Sequence, residues 1–382
     1  GEYHMKRSPL CAMLASACTA TLVFAPGAAQ ARPVELIKDQ YICVFKPWVK
    51  QGDVKAQSQR AAKSQGAAVL HTYGHTIHGF AVHVPEAKLA AMKAASGAIS
   101  YCEQDQIMSL PEASAKVSGK PGGTPVQPPQ STPWGIARVN GGGATYSGSG
   151  VVWVIDTGID LDHPDLNVDV ADSTSFLRDS SPDDGNGHGT HVSGIIAACN
   201  NSIGVVGVAP CAPVASVRVL DRNGRGANSG VIAGINYVAA HGKAGDVANL
   251  SLGGGASDAL DQAVIDAAAT SGVKFSIAAG NDSADANGYS PARANGTNIY
   301  TVSAFGQGDA WAYFSNYGNP PIDFGEPGYS IYSTFKDASY LTLSGTSMAA
   351  PHLAGILLLG AVKSGGTVSG DPDGAADTIG VH

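Results

Sequence analysis

Val151-Val152-Trp153-Val154-Ile155 is an unbroken apolar run that stops at Asp156-Thr157-Gly158. A strand with one wet face alternates apolar and polar residues, so an unbroken run belongs to a strand covered on both faces. Similar runs follow at Val214–Leu220, Val247–Leu252 and Val273–Ala278, with helical patterns between them near His191–Ala198, Ser229–His241 and Asp258–Ser271. Strand and helix alternate, which predicts an α/β fold: a parallel sheet with right-handed crossovers and helices on both faces. Ligands of such sheets bind beyond the carboxyl ends of the strands, and Asp156 stands at one of those ends. At 382 residues, 44% of them hydrophobic, the chain has room for this core and a second, smaller unit.

Residues 5–31 read as a signal peptide: Lys6 and Arg7, an apolar run from Leu10 to Ala25, then Ala29-Gln30-Ala31 as a small-x-small cleavage site. Residues 1–4 precede Met5, the start of such a signal. An exported, secreted protein is expected, with no membrane span once the signal is removed. A net charge of −8 without Lys/Arg clusters argues against nucleic acid or an anionic membrane as partner. Export permits disulfides, and four cysteines remain after removal of the signal. Two bridges within units are expected, Cys43 with Cys102 and Cys199 with Cys211; four free buried thiols are the alternative.

Residues 32–110 form the smaller unit. Strands at Gln40–Phe45, Ala67–Tyr73, Gly79–Val84 and Ile99–Glu103, with helices at Asp53–Gln65 and Pro85–Ala95, give βαββαβ, the α+β ferredoxin-like order. First and last strands are neighbours in that order, which brings Cys43 towards Cys102. His71, His75, His78 and His83 suggest a metal site or a pH sensor, but their spacing spreads them over two strands and both faces. Ordinary strand histidines are the default. Residues 111–129, rich in Pro, Gly and Ser, read as a linker open to processing, and 130–382 as the larger unit.

Two more stretches carry chemistry. In Gly187-His188-Gly189-Thr190-His191 a glycine-flanked histidine precedes an apolar helix, so His188 is held in an irregular turn as a candidate base. A phosphate loop would need a following Lys-Ser/Thr, and zinc ligation would need histidines four apart; neither is present. In Gly345-Thr346-Ser347-Met348-Ala349-Ala350-Pro351-His352, small residues leave room around the Ser347 hydroxyl. Pro351 lacks the N–H that would bond the Ser347 carbonyl, which places Ser347 in a first helical turn, where negative charge is favoured. An ordinary helix cap is the plain alternative.

Asp156 in Val-Ile-Asp-Thr-Gly, His188 in Gly-His-Gly-Thr-His-Val-Ser-Gly and Ser347 in Gly-Thr-Ser-Met-Ala-Ala-Pro-His resemble, in this order, the three signature segments of the subtilisin-like serine proteases. Val219 to Gly224 and Asn281 to Ala292 are similar to the proteinase K branch, and residues 32–110 resemble the family's inhibitory propeptide. The resemblance implies a parallel-sheet catalytic domain, a secreted serine endopeptidase of broad specificity, and a zymogen with its own propeptide as intramolecular inhibitor. It implies Ser347 as nucleophile, His188 as base, Asp156 as its orienting partner and Asn281 as oxyanion donor. It implies a peptide held between Ser251-Leu252-Gly253 and Gly224-Arg225-Gly226, with Ala279, Gly280 and Gly288 around a roomy, uncharged pocket for the residue before the cut. Arg225 beside the next subsite favours acidic residues or contributes nothing. Structural calcium is implied at Asp165, Asn201 and Gln130 with the carbonyls of Cys199, Ile203 and Val205, and at Asp323 in a second site; for Asp165 and Asn201 a turn cap is the alternative.

Two departures from the family stand out. The linker is longer than in the simplest members, and only 35 residues follow Ser347, with a Gly- and Asp-rich tail from Gly365 whose packing is open. Of the rivals, a peptide-binding pseudoprotease would lack a triad or oxyanion residue, and none is missing. An esterase would show Gly-x-Ser-x-Gly and the order Ser, Asp, His. Retention of the first unit as a substrate-binding module stays open. The default oligomeric state is a monomer.

Overall fold

A computed structural model describes residues 1–2, 34–110 and 127–382, so the signal segment and most of the linker lie outside the described residues. In the first unit β1 (Leu36–Phe45), α1 (Val54–Lys63), β2 (Ala68–Tyr73), β3 (Gly79–His83), α2 (Glu86–Ser96) and β4 (Ile99–Ser109) follow the βαββαβ order. The strands lie antiparallel as β2-β3-β1-β4. Tyr41, Cys43 and Phe45 pack on Phe80, Val82 and Met92 beneath the two helices. Cys43 sits opposite Cys102 and the two form a disulfide, as Cys199 and Cys211 do in the second unit. The four histidines do not converge: His75 bonds Gln51, His78 Nδ1 lies 2.9 Å from the Val49 carbonyl, and His71 lies against Tyr73 and Phe176. Among the described residues no group of three or more His, Cys, Asp or Glu is arranged to hold a metal.

The second unit contributes β5 (Val152–Asp156), α3 (His188–Ala197), β6 (Val214–Arg218), β7 (Arg225–Ala227), α4 (Asn228–His241), β8 (Val247–Leu250), α5 (Asp258–Ser271), β9 (Lys274–Ala278), β10 (Ile299–Gly306), β11 (Ile322–Pro327), α6 (Thr346–Leu359), β12 (Lys363–Thr367) and β13 (Thr378–Val381). Its sheet runs β12-β13-β11-β10-β9-β8-β5-β6, with parallel pairing from β13 to β6. Alternation along β5 shows why its apolar run is unbroken. Trp153 and Ile155 enter a core with residues of α4 and α5, while Val152 and Val154 enter another with residues of α3 and α6. Each such fully buried side chain contributes roughly 1.5–3 kcal/mol. Among the described residues no helix is long and apolar enough to cross a membrane.

Two local expectations need correction, and the packing of the tail, left open by the sequence, is now seen. The last strand of the first unit does not stop at Glu103 but continues to Ser109, because Ile107, Met108 and Ser109 pair antiparallel with β7 of the second unit. The tail is not loose: β12 and β13 form an antiparallel hairpin, and β13 extends the sheet beside β11, burying Val368, Ile379 and Val381 on Phe305. This hairpin covers Glu326, a fully buried carboxyl whose oxygens lack a well-formed hydrogen bond. Pro351 lies inside α6, five residues past Thr346; how the helix tolerates it becomes clear at the site.

Candidate active site

Asp156 ends β5 with no exposed surface, and its Oδ1 accepts the Thr157 N–H at 2.7 Å. His188 opens α3, where an irregular turn before the helix was expected; its Nδ1 stands 2.9 and 3.0 Å from the two Asp156 oxygens. Gly187 makes that entry possible, since its φ is +114° and a Cβ there would strike the Phe335 ring. Asp184 ties the two turns together, accepting from the Gly187 and Thr190 N–H groups and from the hydroxyls of Thr157 and Thr190. The sequence reading gave this residue no role. Its only signal was an acidic side chain just before a glycine-rich turn into a helix, where a carboxylate can satisfy free N–H groups.

With Nδ1 directed at Asp156, His188 Nε2 is buried and has no partner among the described residues. Its neighbours do not compete for protons: burial lowers His191 to about 3 and His352 to about 4, so both stay neutral.

Ser347 is the second residue of α6. Pro351 leaves the Ser347 carbonyl without its helical donor, and the Ser251 hydroxyl supplies one at 2.9 Å. In return the Ser347 hydroxyl donates to the Ser251 carbonyl at 3.1 Å. A proline in the helix interior is thus tolerated because a neighbouring loop satisfies the freed carbonyl. Asn281 Oδ1 accepts both the N–H and the hydroxyl of Thr346 at 2.8 Å. That orients the amide, and Nδ2 is left buried and unpartnered. Gly345 keeps the approach open, as a Cβ there would lie 2.9 Å from Asn281 Nδ2.

An extended strand already occupies the groove leading to this cluster. Met108 stands opposite Gly226 and Ser109 opposite Arg225; Ser109 exchanges both backbone bonds with Gly253, and the Leu110 N–H donates to the Gly224 carbonyl at 2.9 Å. The two flanking segments are Gly224–Gly226 and Ser251–Gly253, with Leu252 buried between core residues. Ala279 packs with Ala286 and Tyr289, and Gly288 has open space where a side chain would project. Gly280 differs from expectation: a Cβ there would lie 2.3 Å from Asn316 Nδ2, so close packing of Asn316 and a φ of +108°, not pocket width, demand glycine. Arg225 pairs with Glu35 of the first unit.

Two carboxylates missed in the sequence fasten the first unit down. Glu103 accepts the hydroxyl of Ser257, the N-cap of α5, and the Ala259 N–H at 3.3 Å. Asp105 accepts the Ser229 N–H at the start of α4 at 3.1 Å and the Gln40 side chain at 2.7 Å. Both place negative charge at positive helix ends.

The calcium set draws three distant segments together. Buried Asp165 accepts from Asn201 Nδ2, the Val205 N–H and the Tyr340 hydroxyl. Gln130 Oε1 accepts the Asn201 N–H, and bridges from Pro129 to Ile203 and from Ser131 to Val205 hold that loop against the chain. Cys199 is tied in through its N–H to the Asp165 carbonyl. The side-chain oxygens are one carboxylate plus two neutral amides, a donor type that suits a hard cation, and each of them accepts an N–H in this structure. Asp323 lies apart, exposed on β11, and accepts the Thr301 N–H.

Residues 148–364 match the family model described as Subtilase family, and residues 40–111 that described as Peptidase inhibitor I9. Alkaline serine exoprotease A of Vibrio alginolyticus is 37% identical over 346 residues, 85% of this chain and 60% of that protein. Subtilisin BL of Lederbergia lenta is 45% identical over 235 residues, 60% of this chain and 84% of its own. Subtilisin-like protease 2 of Pseudogymnoascus destructans is 36% identical over 344 residues, 84% and 80% of the two chains. A solved cold-adapted subtilisin-like serine proteinase aligns with a TM-score of 0.52 at 40% identity, covering 59% of this chain and 83% of that one.

Proposed function

The chain belongs to the subtilase family, and from that premise we propose that it is a secreted serine endopeptidase of broad specificity, made as a self-processed zymogen. The observation that carries this reading is the buried His188 imidazole, held through Nδ1 by Asp156 and free at Nε2 near the end of an occupied peptide groove. In the proposed reaction the Ser347 hydroxyl turns from the Ser251 carbonyl and attacks the scissile carbonyl carbon while His188 Nε2 takes its proton. Asp156 stabilises the imidazolium, which passes the proton to the leaving amine. Water then attacks the acyl-enzyme by the same route in reverse roles. Asn281 Nδ2 and the Ser347 N–H meet the negative charge that develops on the carbonyl oxygen.

Backbone pairing along Gly224–Gly226 and Ser251–Gly253 reads main chain, which favours broad specificity. Residues 32–110 act as the inhibitory propeptide, 111–129 as the linker that is cut and 130–382 as the peptidase, with 5–31 as signal peptide and the mature form a monomer. The strand ending at Leu110 in the groove supports intramolecular inhibition. Calcium is assigned to Asp165, Asn201, Gln130 and the carbonyls of Cys199, Ile203 and Val205, where it would cross-link three segments, and to Asp323 as a second site. A pseudoprotease has no observation in its favour.

Intact mass of the wild type and of Ser347→Ala, each with calcium and with chelator, tests the proposal. Wild type splitting between residues 109 and 130 while Ser347→Ala stays whole is the expected result. Equal cutting of both would assign maturation to another protease, and two whole chains with no digestion of casein would end the peptidase reading.

A further inference from the structure

A cleft of about 450 Å³ lies on the surface of the second unit, with Trp134, Trp311, Tyr313 and Tyr329 in its walls. Its aromatics form one connected surface. Tyr329 stacks on Phe314 and Phe314 meets the edge of Tyr313. Trp134 Nε1 donates to the carbonyls of Tyr329 and Ser330, which fixes the indole, and its ring packs edge-on against Phe305. Tyr313 is 71% exposed and Tyr329 45% exposed, although rings of this size are normally largely covered. A contiguous exposed apolar patch in a concave setting is where soluble proteins bind something.

The cleft is wired to the candidate catalytic residues. Gly328, next to Tyr329, accepts the Gly345 N–H at 2.8 Å, and the Ser330 N–H donates to the Ser344 hydroxyl at 2.8 Å; both partners lie within three residues of Ser347. Across the site, Ser283 bonds the carbonyls of Phe314 and Tyr313, two residues beyond Asn281. The strand that enters the groove is held elsewhere, by Gly224–Gly226 and Gly253. A chain arriving along that groove fills it with the residues before the cut. Those segments hold none of the residues after the cut, which follow Ser347 at about 3.3 Å for each extended residue.

We infer that this cleft holds apolar or aromatic side chains of the leaving half of the substrate, so that Trp134, Trp311, Tyr313 and Tyr329 set specificity on the far side of the scissile bond. The inference rests on the peptidase reading. Preformed rings lose little rotamer freedom on contact, so the cleft would add selectivity to a groove that otherwise reads backbone.

The test compares two internally quenched peptides that are identical up to the cut and carry either Phe or Ser at the second and third leaving positions. A third substrate has a chromogenic amine in place of the leaving peptide. With the processed enzyme, kcat/KM is expected to favour the Phe peptide roughly tenfold. In Tyr313→Ala/Tyr329→Ala the ratio should fall towards one through KM, and Tyr313→Phe/Tyr329→Phe should restore it. An active wild type with a ratio near one, or a preference that survives the alanine pair, overturns the role of the cleft alone. A wild type inert on all three substrates overturns the peptidase reading and the cleft with it. Self-association of the wild type that the alanine pair abolishes would give the cleft to a second copy and also overturn the inference.

Discussion

Glu326 gives the fold a built-in sensitivity to alkali. It lies on β11 with no exposed surface, so close beneath β13 that a Cβ on Gly380 would strike its Oε1. Burial raises its pKa well above the ordinary 4.5; the Arg138 charge and the Gly380 N–H offset this only in part. The folded chain therefore keeps a proton that the unfolded chain releases. Stability from this site is whole below about pH 4.5 and declines as pH rises towards the folded value. Each pH unit inside that window costs about 1.4 kcal/mol, so two units cost about 3 kcal/mol. For a domain of this size that corresponds to on the order of 5–10 °C in Tm. Glu326→Gln keeps the shape and removes the titration. Both chains should be melted between pH 5 and 9 in a Ser347→Ala background, which prevents self-digestion. The expected result is a Tm difference in favour of Gln that widens as pH rises. A constant offset between the two proteins would show that Glu326 is already charged in the fold and would refute the reasoning.

Asn281→Ala should lower kcat by about 10²–10³, the loss of such a donor in subtilisin itself, with KM little changed; steady-state kinetics on one peptide checks this. Chelation should lower the Tm of the wild type, and Asp165→Asn should remove most of the calcium response, read by calorimetry with and without added calcium. Glu103→Ala and Asp105→Ala each remove a carboxylate from a helix N-terminus, worth about 1 kcal/mol, so each should shorten the lag before full activity in the processing chain several-fold. A lag unchanged in the double variant would count against that docking role.

The parallel sheet was legible because β5 has to be apolar on both faces, and the alternation of Trp153 and Ile155 with Val152 and Val154 between two cores accounts for it. Asp156, His188 and Ser347 stood out because glycines and small residues mark the turns that carry them. What stayed hidden depends on partners far along the chain. Nothing in Ile107-Met108-Ser109 announces a strand; its pairing partner, Arg225–Ala227, lies more than a hundred residues away. Glu103 and Asp105 read as ordinary surface acids until α4 and α5 present their N-termini. Pro351 suggested a first turn because its usual cost was assumed, and the Ser251 hydroxyl that offsets this cost comes from a loop that local spacing does not reveal. The tail hairpin was missed because its strands are short and glycine-rich, and only docking on β11 orders them.

One sheet passes from the first unit into the second, since β4 pairs with both β1 and β7. When β4 departs, β7 becomes a bare edge, and bare edges are where separate protein molecules stick and aggregate. This edge is poorly suited to such pairing. It is three residues long, flanked by Gly224, and carries a charge at Arg225 that loses its partner Glu35 at the same moment. The same brevity that lets β7 take up one extended strand would thus make the second unit, once parted from the first, a poor template for edge-to-edge pairing between copies.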